Sequence, residues 1–296
     1  MAFSKGQVST EGASIKRYVG VGSMFVRNVN ANKAESDTFF GRESEGEPQY
    51  VTVVDSNGTQ VPNVRISFLV EADPEKYPDF EFKSSVNIFL RREPRINRDG
   101  TKKQVIDKYG RTAWATQEEI TNHIVPTYSN GKKANISSDY RIAYNGEEDL
   151  TNFLIAYLNI PAPANYVNGE WVDKPAAEIG DSEARLEHIE DYFKGNFSEL
   201  KEIIKYQPLN KVKVCFGVRK TDDGKEYQNC YTRKFLKNSV TNYSKLDAEI
   251  KDAQNNGAYS TTEFDTQDLH EYVVNPTNFN EMPFSPENGI TSTPWG

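Results

Sequence analysis

Histidine, cysteine and methionine are scarce in this chain: three, two and three among 296 residues. His123, His188 and His270 are scattered and share no zinc-type spacing with the cysteines, so neither a metal nor a cofactor is expected. Cys215 and Cys230 fall on what read as facing strands of one hairpin. With no paired histidine and no secretory context they are expected as small buried thiols, not as a disulfide or a nucleophile. Long apolar runs are also missing. The longest, "FLIAYL" (153–158), is far too short to span a bilayer, and "MAFSKGQVSTEGASIKRY" has no apolar signal region. A reduced, cytosolic, metal-free protein is the reading. Enzyme signatures are missing as well: "GVGS" (20–23) lacks the third glycine of a dinucleotide fingerprint, and no Walker lysine, Gly-x-Ser-x-Gly or His-Glu-x-x-His occurs.

Positive charge is absent from the end of the chain. Beyond Lys251 there are seven acids (Asp252, Glu263, Asp265, Asp268, Glu271, Glu281, Glu287) and no lysine or arginine. Removing those seven from the 43 acidic residues leaves 36 against 35 basic ones, so a chain of net −8 has a body of net −1. The excess negative charge says little about the body, which is free to carry a basic face.

What is present is β-branched and aromatic. The chain has sixteen Phe and sixteen Tyr, and strand-like segments rich in β-branched and aromatic residues fall at 17–29, 49–55, 64–71, 80–92 and 102–110, with hairpin signals at "DSNG" (55–58) and "NRDG" (97–100). The middle turns helical. Leu150, Phe153, Leu154, Tyr157 and Leu158 fall on one helix face, and Glu147, Glu148 and Asp149 suit its first turn better than they suit a metal. A second helical region, 182–208, is broken at Gly195 and stopped at Pro208. Strands at 211–220 and 225–237 surround "TDDG", and a short helix at 244–255 follows. The order predicts one α+β domain: a flexible arm over 1–15, and a β-barrel or curved sheet over 16–251 with a helical insertion at about 115–208. An acidic tail occupies 252–296.

Two stretches rise above background. Residues 83–111 hold nine bases against three acids, and residues 211–237 hold eight against three. Aromatics are interleaved in both. Lys83, Phe89, Arg91, Arg92, Arg95, Lys102, Lys103, Tyr109, Arg111 and Trp114 are candidates from the first stretch and its flank. Lys213, Arg219, Tyr227, Tyr231, Arg233 and Phe235 are candidates from the second. Cations along a phosphate backbone with aromatic platforms for unstacked bases are what single-stranded nucleic acid requires. Hairpins that are merely charged outside and aromatic inside show the same composition, and register separates the two readings. A two-residue loop sets Tyr227 and Tyr231 opposite Val218 and Val214, inside. A three-residue loop, with Gly224 left-handed, sets them on the outer face with Lys213 and Arg219. "TDDGK" fits the second geometry better.

The phrases "RYVGVGSMFVRNVN", "QVIDKYGRTAW", "GEEDLTNFLIAYLNIP", "SEARLEHIEDYFKGNFSELKEI" and "KVKVCFGVRKTDDGKEYQ" resemble the single-stranded-DNA-binding proteins of crAss-like and related tailed phages of gut Bacteroidetes. The likeness runs from about Arg17 to Phe264. It implies an OB-type barrel elaborated by helices, in the cytoplasm of the bacterial host. The implied role is non-enzymatic: coating single-stranded DNA in replication and recombination, with possible self-association on the DNA. It also implies an acidic tail whose tip docks polymerase, primase or helicase. Here the tip would be Glu281, Met282, Pro283 and Phe284, with Trp295 as a second aromatic point. A structural or cargo protein of the virion is the alternative.

Overall fold

A computed structural model of the protein describes residues 16–167, 170–175, 178 and 186–273. In chain order the elements are β1 (Tyr18–Val29), α1 (Lys33–Phe40), β2 (Val51–Ser56), β3 (Thr59–Ala72), β4 (Lys83–Pro94), β5 (Lys103–Asp107), β6 (Thr112–Ala115), α2 (Gln117–Thr121), β7 (Tyr140–Ile142), β8 (Tyr144–Asn145) and α3 (Glu147–Tyr157). There follow β9 (Ala164–Val167), β10 (Glu170–Asp173), α4 (Ile189–Tyr192), α5 (Ser198–Tyr206), β11 (Lys211–Lys220), β12 (Glu226–Cys230), β13 (Leu236–Lys237), α6 (Ser244–Asn255), β14 (Thr262–Phe264) and β15 (His270–Glu271). The frame is an antiparallel sheet in the order β12-β11-β1-β3-β4-β8, curled into a half-barrel.

Strand alternation sends Val64, Ile66, Phe68 and Val70 of β3, Val86, Ile88 and Leu90 of β4, and Val212, Val214 and Phe216 of β11 to the inner face. There they meet Leu150, Phe153, Leu154 and Tyr157 of α3, with Tyr192, Leu200 and Ile204 of the two helices that follow. The spacing that predicts the α3 face therefore describes its packing, and its first turn carries the three acids. Phe68 and Phe153 stack at 4.0 Å between ring centres. Each such side chain taken fully from water contributes about 1.5–3 kcal/mol.

The insertion expected over about 115–208 is only partly helical. Its first third folds as α2 and β7, and β7 joins β5 and β6, which precede the insertion, in the small sheet β6-β5-β7 over a separate core of Val105, Ala113, Ala115, Ala134, Ile136 and Tyr140. Pro126, Gly131 and the polar residues around them offer no helical apolar repeat. Buried Asp107 organises this region. Its carboxylate accepts the main-chain N–H of Tyr109, Arg111 and Ser137 and the Arg111 Nε at 2.7 Å. The second helical region begins in the described residues at Ile189 and breaks at Gly195 into α4 and α5.

The expected tail boundary at Asp252 is corrected. Asp252 lies inside α6, and the chain then returns to the sheet as β14 and β15. These two short strands form a strap in the seam where β1 and β11 diverge. β14 pairs with Gly217–Arg219 of β11, and β15 pairs with Tyr18 and Val19 of β1. The seam admits the strap because it lacks side chains. A Cβ on Gly217 would stand 2.5 Å from the Glu263 carbonyl oxygen, and one on Gly20, at φ +110°, would stand 2.8 Å from that of Asp268. Three of the expected tail acids are held in ion pairs: Glu263 with Lys220 (3.1 Å), Asp268 with Lys76 (2.9 Å) and Glu271 with Lys16 (2.7 Å). The arm at 1–15 and the tail beyond 273 lie outside the described residues. Among the described residues no helix is long and apolar enough to cross a membrane.

The strap changes what truncation does. Ending the chain at Lys251 removes Ala253, Leu269 and both strap strands, and is expected to cost at least about 3–5 kcal/mol, a large part of a typical domain's stability. Ending it at Val273 keeps every described element, so this truncation is expected to melt well above the shorter one. Thermal melts of the two truncations check both outcomes.

Candidate functional site

The second basic hairpin has the three-residue geometry. The Thr221 N–H donates to the Lys225 carbonyl (3.0 Å), the Gly224 N–H donates to the Thr221 carbonyl (2.8 Å), and Gly224 sits at φ +77°. Arg219 therefore stands opposite Tyr227, and its guanidinium lies 5.5 Å from the ring centre. Tyr227 is 38% exposed, on the outer face as the loop requires.

The same register does not expose Tyr231 or Lys213. Both point to the outer face, but α6 covers that face, packing Leu246, Ile250 and Ala253 against Val21, Cys215 and Tyr231. Tyr231 is 2% exposed, and burial pushes its hydroxyl up to about 12. Lys213 is 5% exposed; its ammonium donates to the Val240 carbonyl and to the Tyr243 hydroxyl (2.8 Å). Burial, with Lys76 nearby, holds the Lys213 ammonium below the usual lysine range. Phe235 is likewise core, edge-on to Phe153 at 5.0 Å. These three are structural residues. Arg233 remains exposed, 5.9 Å from the Tyr259 ring centre. The register also separates the cysteines, since Cys230 pairs with Phe216 and Cys215 lies one position on. Cys215 belongs to the core under α6 and Cys230 to the inner core; both are free, and burial raises both thiols, Cys230 to about 12.

On β4 the odd positions face outward. Phe89 is 55% exposed and stands opposite Arg65 of β3, while Arg91 stands opposite Asn63. Arg65 lies outside both basic stretches of the sequence. Its guanidinium lies 5.2 Å from the Tyr50 ring centre, and among the described residues no carboxylate pairs with it. Further along the same face a row crosses four strands: Lys211, Phe25, Glu71 and Lys83. Arg27 and Lys211 lie 4.4 and 4.7 Å from the Phe25 ring centre, and Lys83 lies 5.6 Å from that of Phe39. Between the two aromatic groups the sheet holds Ser67 and Leu69, both buried, opposite the half-buried Asn87 and Ser85. The result is a face that is covered in its middle and carries cation–aromatic groups at both ends, with Phe89 exposed at one of them.

Arg27 pairs with Glu71 (2.8 Å) and Lys211 with Asp73 (2.6 Å), and the remaining candidates are occupied as well. Arg111 is a structural residue, paired with Asp107 (2.7 Å) and Asp173 (2.9 Å). Arg92 pairs with Glu190 (3.1 Å), Lys83 with Glu81 (2.8 Å) and Arg91 with Glu93 (3.3 Å). These pairs are partly exposed and worth little, so a phosphate competes with them readily. Arg95 pairs with Glu148 (2.8 Å) and lies 5.8 Å from the Trp114 ring centre. Tyr109 sits between Lys108 and Arg111, and Lys103 donates to Gln117 (3.1 Å). The Lys102 main-chain N–H donates to Asn97 (2.8 Å). Glu281, Met282, Pro283, Phe284 and Trp295 lie outside the described residues.

The two basic stretches meet at a cleft of about 450 Å³, lined by Arg95, Arg233, Glu148, Asp149, Tyr231, Glu249 and Asp252, among others. Among the described residues no group of three or more His, Cys, Asp or Glu is placed to hold a metal. Burial, then the neighbouring Glu148, raises the Asp149 carboxyl to about 6, against the pull of Arg95 and Arg233. The chain matches no protein-family model, no curated protein and no solved structure.

Asp149 makes stability depend on pH with a definite sign. Its folded value, about 6, lies above the ordinary 3.8, so the folded state holds the proton more tightly, and stability falls as pH rises from 3.8 to about 6 and is level above that. Asp149→Asn is expected to be more stable than the parent by on the order of 1–3 kcal/mol at pH 7.5. That gap should close as pH falls from about 6 toward 4, where the parent carboxyl is already neutral. Paired urea melts at the two ends of this range check it.

Proposed function

We propose that the chain binds single-stranded DNA as a non-enzymatic coat protein of phage replication, and that the strand crosses the outer face of β3 and β4. The observation that carries this reading is Phe89, an exposed phenylalanine in mid-sheet between Arg65 and Arg91. Single exposed apolar residues are ordinary on protein surfaces. A flat exposed ring on a sheet face, with a guanidinium across from it and another two positions along, offers a base its stacking partner and the backbone its counter-charge. Arg27, Phe25, Lys211 and Lys83 extend the same chemistry along that face, and Arg219 with Tyr227 adds a further cation–aromatic pair on the second hairpin. An OB-type barrel with helical elaboration is consistent with the curled sheet and with the family resemblance of the sequence. In this reading the protein works in the host cytoplasm and recruits replication enzymes through the segment containing Phe284 and Trp295.

If four to six phosphates are neutralised, the log–log salt slope for oligo-dT is expected at about −3 to −4, from about −0.7 per phosphate. Phe89→Ala is expected to weaken binding by about 1–3 kcal/mol with little change in slope. Arg65→Ala should make the slope shallower by about 0.7. Tyr231→Ala should instead lower the melting temperature and leave the slope unchanged. Fluorescence titrations at two or more salt concentrations separate these outcomes. A protein that ignores oligo-dT at low salt, or prefers duplex, is not a single-strand coat, and assembly in the virion becomes the better reading.

A further inference from the structure

The free side of β2 is unusual for a sheet edge. Natural edge strands are blunted by lysine, proline, a bulge, short length or a covering element. Strand β2, "VTVVDS", has no lysine or proline and pairs without a bulge with β3 from Val51↔Val64 to Ser56↔Thr59. Among the described residues no strand pairs with its other side. Two of its apolar side chains are open, with Val53 62% exposed and Val51 also exposed. The other edges are protected. β8 is two residues long, and β12 carries Glu226, whose carbonyl accepts a bond from Arg17 (3.0 Å).

The ladder fixes which main-chain groups face out. The Arg65 N–H donates to the Tyr50 carbonyl (2.8 Å), so 50/65 is a hydrogen-bonded pair, and bonded pairs recur at every second position along β2. Residues Val51, Val53 and Asp55 fall at the intervening positions. Their N–H and C=O groups therefore point away from β3 into open space. The one charge in the strand is already engaged: Asp55 accepts from the Gly58 N–H (3.0 Å) and from Gln60 Nε2 (3.2 Å).

We propose that β2 is a homodimer interface, in which two copies of this chain join their sheets edge to edge about a two-fold axis at Val53. The occupant follows from the strand's own pattern. In an antiparallel two-fold pairing Val53 faces Val53 of the partner subunit, and Val51 faces Asp55 of the partner subunit. Each of these residues then exchanges both of its outward main-chain bonds with its counterpart. The Val53 side chains meet across the axis, and no lysine or arginine is brought into the joint. An isologous contact of this kind closes on itself and leaves no further edge to propagate. A six-residue strand pair lies at the small end of specific interfaces, so the dimer forms as a function of concentration. The proposal is independent of nucleic-acid binding.

Sedimentation velocity of the full chain, from low micromolar to the highest soluble concentration, is expected to show a reversible monomer–dimer equilibrium. Val53→Lys and Val53→Pro should each raise the dissociation constant at least about tenfold. Neither should lower the melting temperature substantially, because the Val53 N–H faces away from β3. Under mild oxidation Val53→Cys should form a covalent dimer, since the Cα separation of a hydrogen-bonded antiparallel pair, about 5.5 Å, suits a disulfide. A chain that stays monomeric throughout and gives no covalent dimer overturns the proposal. So does a dimer that survives Val53→Lys, or one that is lost when residues 274–296 alone are removed, which would assign self-association to that segment.

Discussion

Strand β11 is buried on both faces, and the rest of the molecule is arranged around that constraint. Its even positions, Val212, Val214 and Phe216, close the inner core over α3, while Cys215 and Lys213 lie under α6. A two-sided strand has no face left for a ligand along most of its length. Where it emerges, at Arg219, the hairpin is open. The strap depends on β11 as well, because Gly217 is the position where another main chain passes too close for any side chain.

Because α6 covers β1 and β11 on the outside, the sheet's outer surface is exposed around Phe89 of β4, while Ser67 and Leu69 of the same face are buried. There the outward positions hold Arg65, Phe89 and Arg91 at one end and Lys83 at the other, near Phe25 and Arg27. The acids that gave the chain its negative excess are partly consumed by the fold. Glu263, Asp268 and Glu271 bind lysines of the strap's surroundings, so they act locally and hold the strap in the seam. Of the seven acids beyond Lys251, only Glu281 and Glu287 lie past the described residues. A long-range electrostatic role for the chain's end therefore rests on far fewer charges than the composition suggests.

Local pattern determined much of this. The i, i+3, i+4 spacing around Leu150–Tyr157 specifies α3 and its buried face, and "TDDG" specifies the loop that sets Arg219 opposite Tyr227. Both depend on residues within one or two turns of each other, where backbone geometry alone limits the choices. The sequence could also say that positive charge and aromatics collect on two stretches. It could not say which of those side chains stay in water. Tyr231 and Lys213 point outward as their register demands, and become buried because Leu246 and Ile250 pack on the first while Val240 and Tyr243 hold the second. Arg65 and Phe89 face each other only because β3 and β4 pair in one register across a long connection, whose turn at Asp73 and Pro74 is too far from a tight hairpin to set it. Alternation assigns a side chain to a face; what covers that face is a non-local event, decided by the packing of the whole molecule.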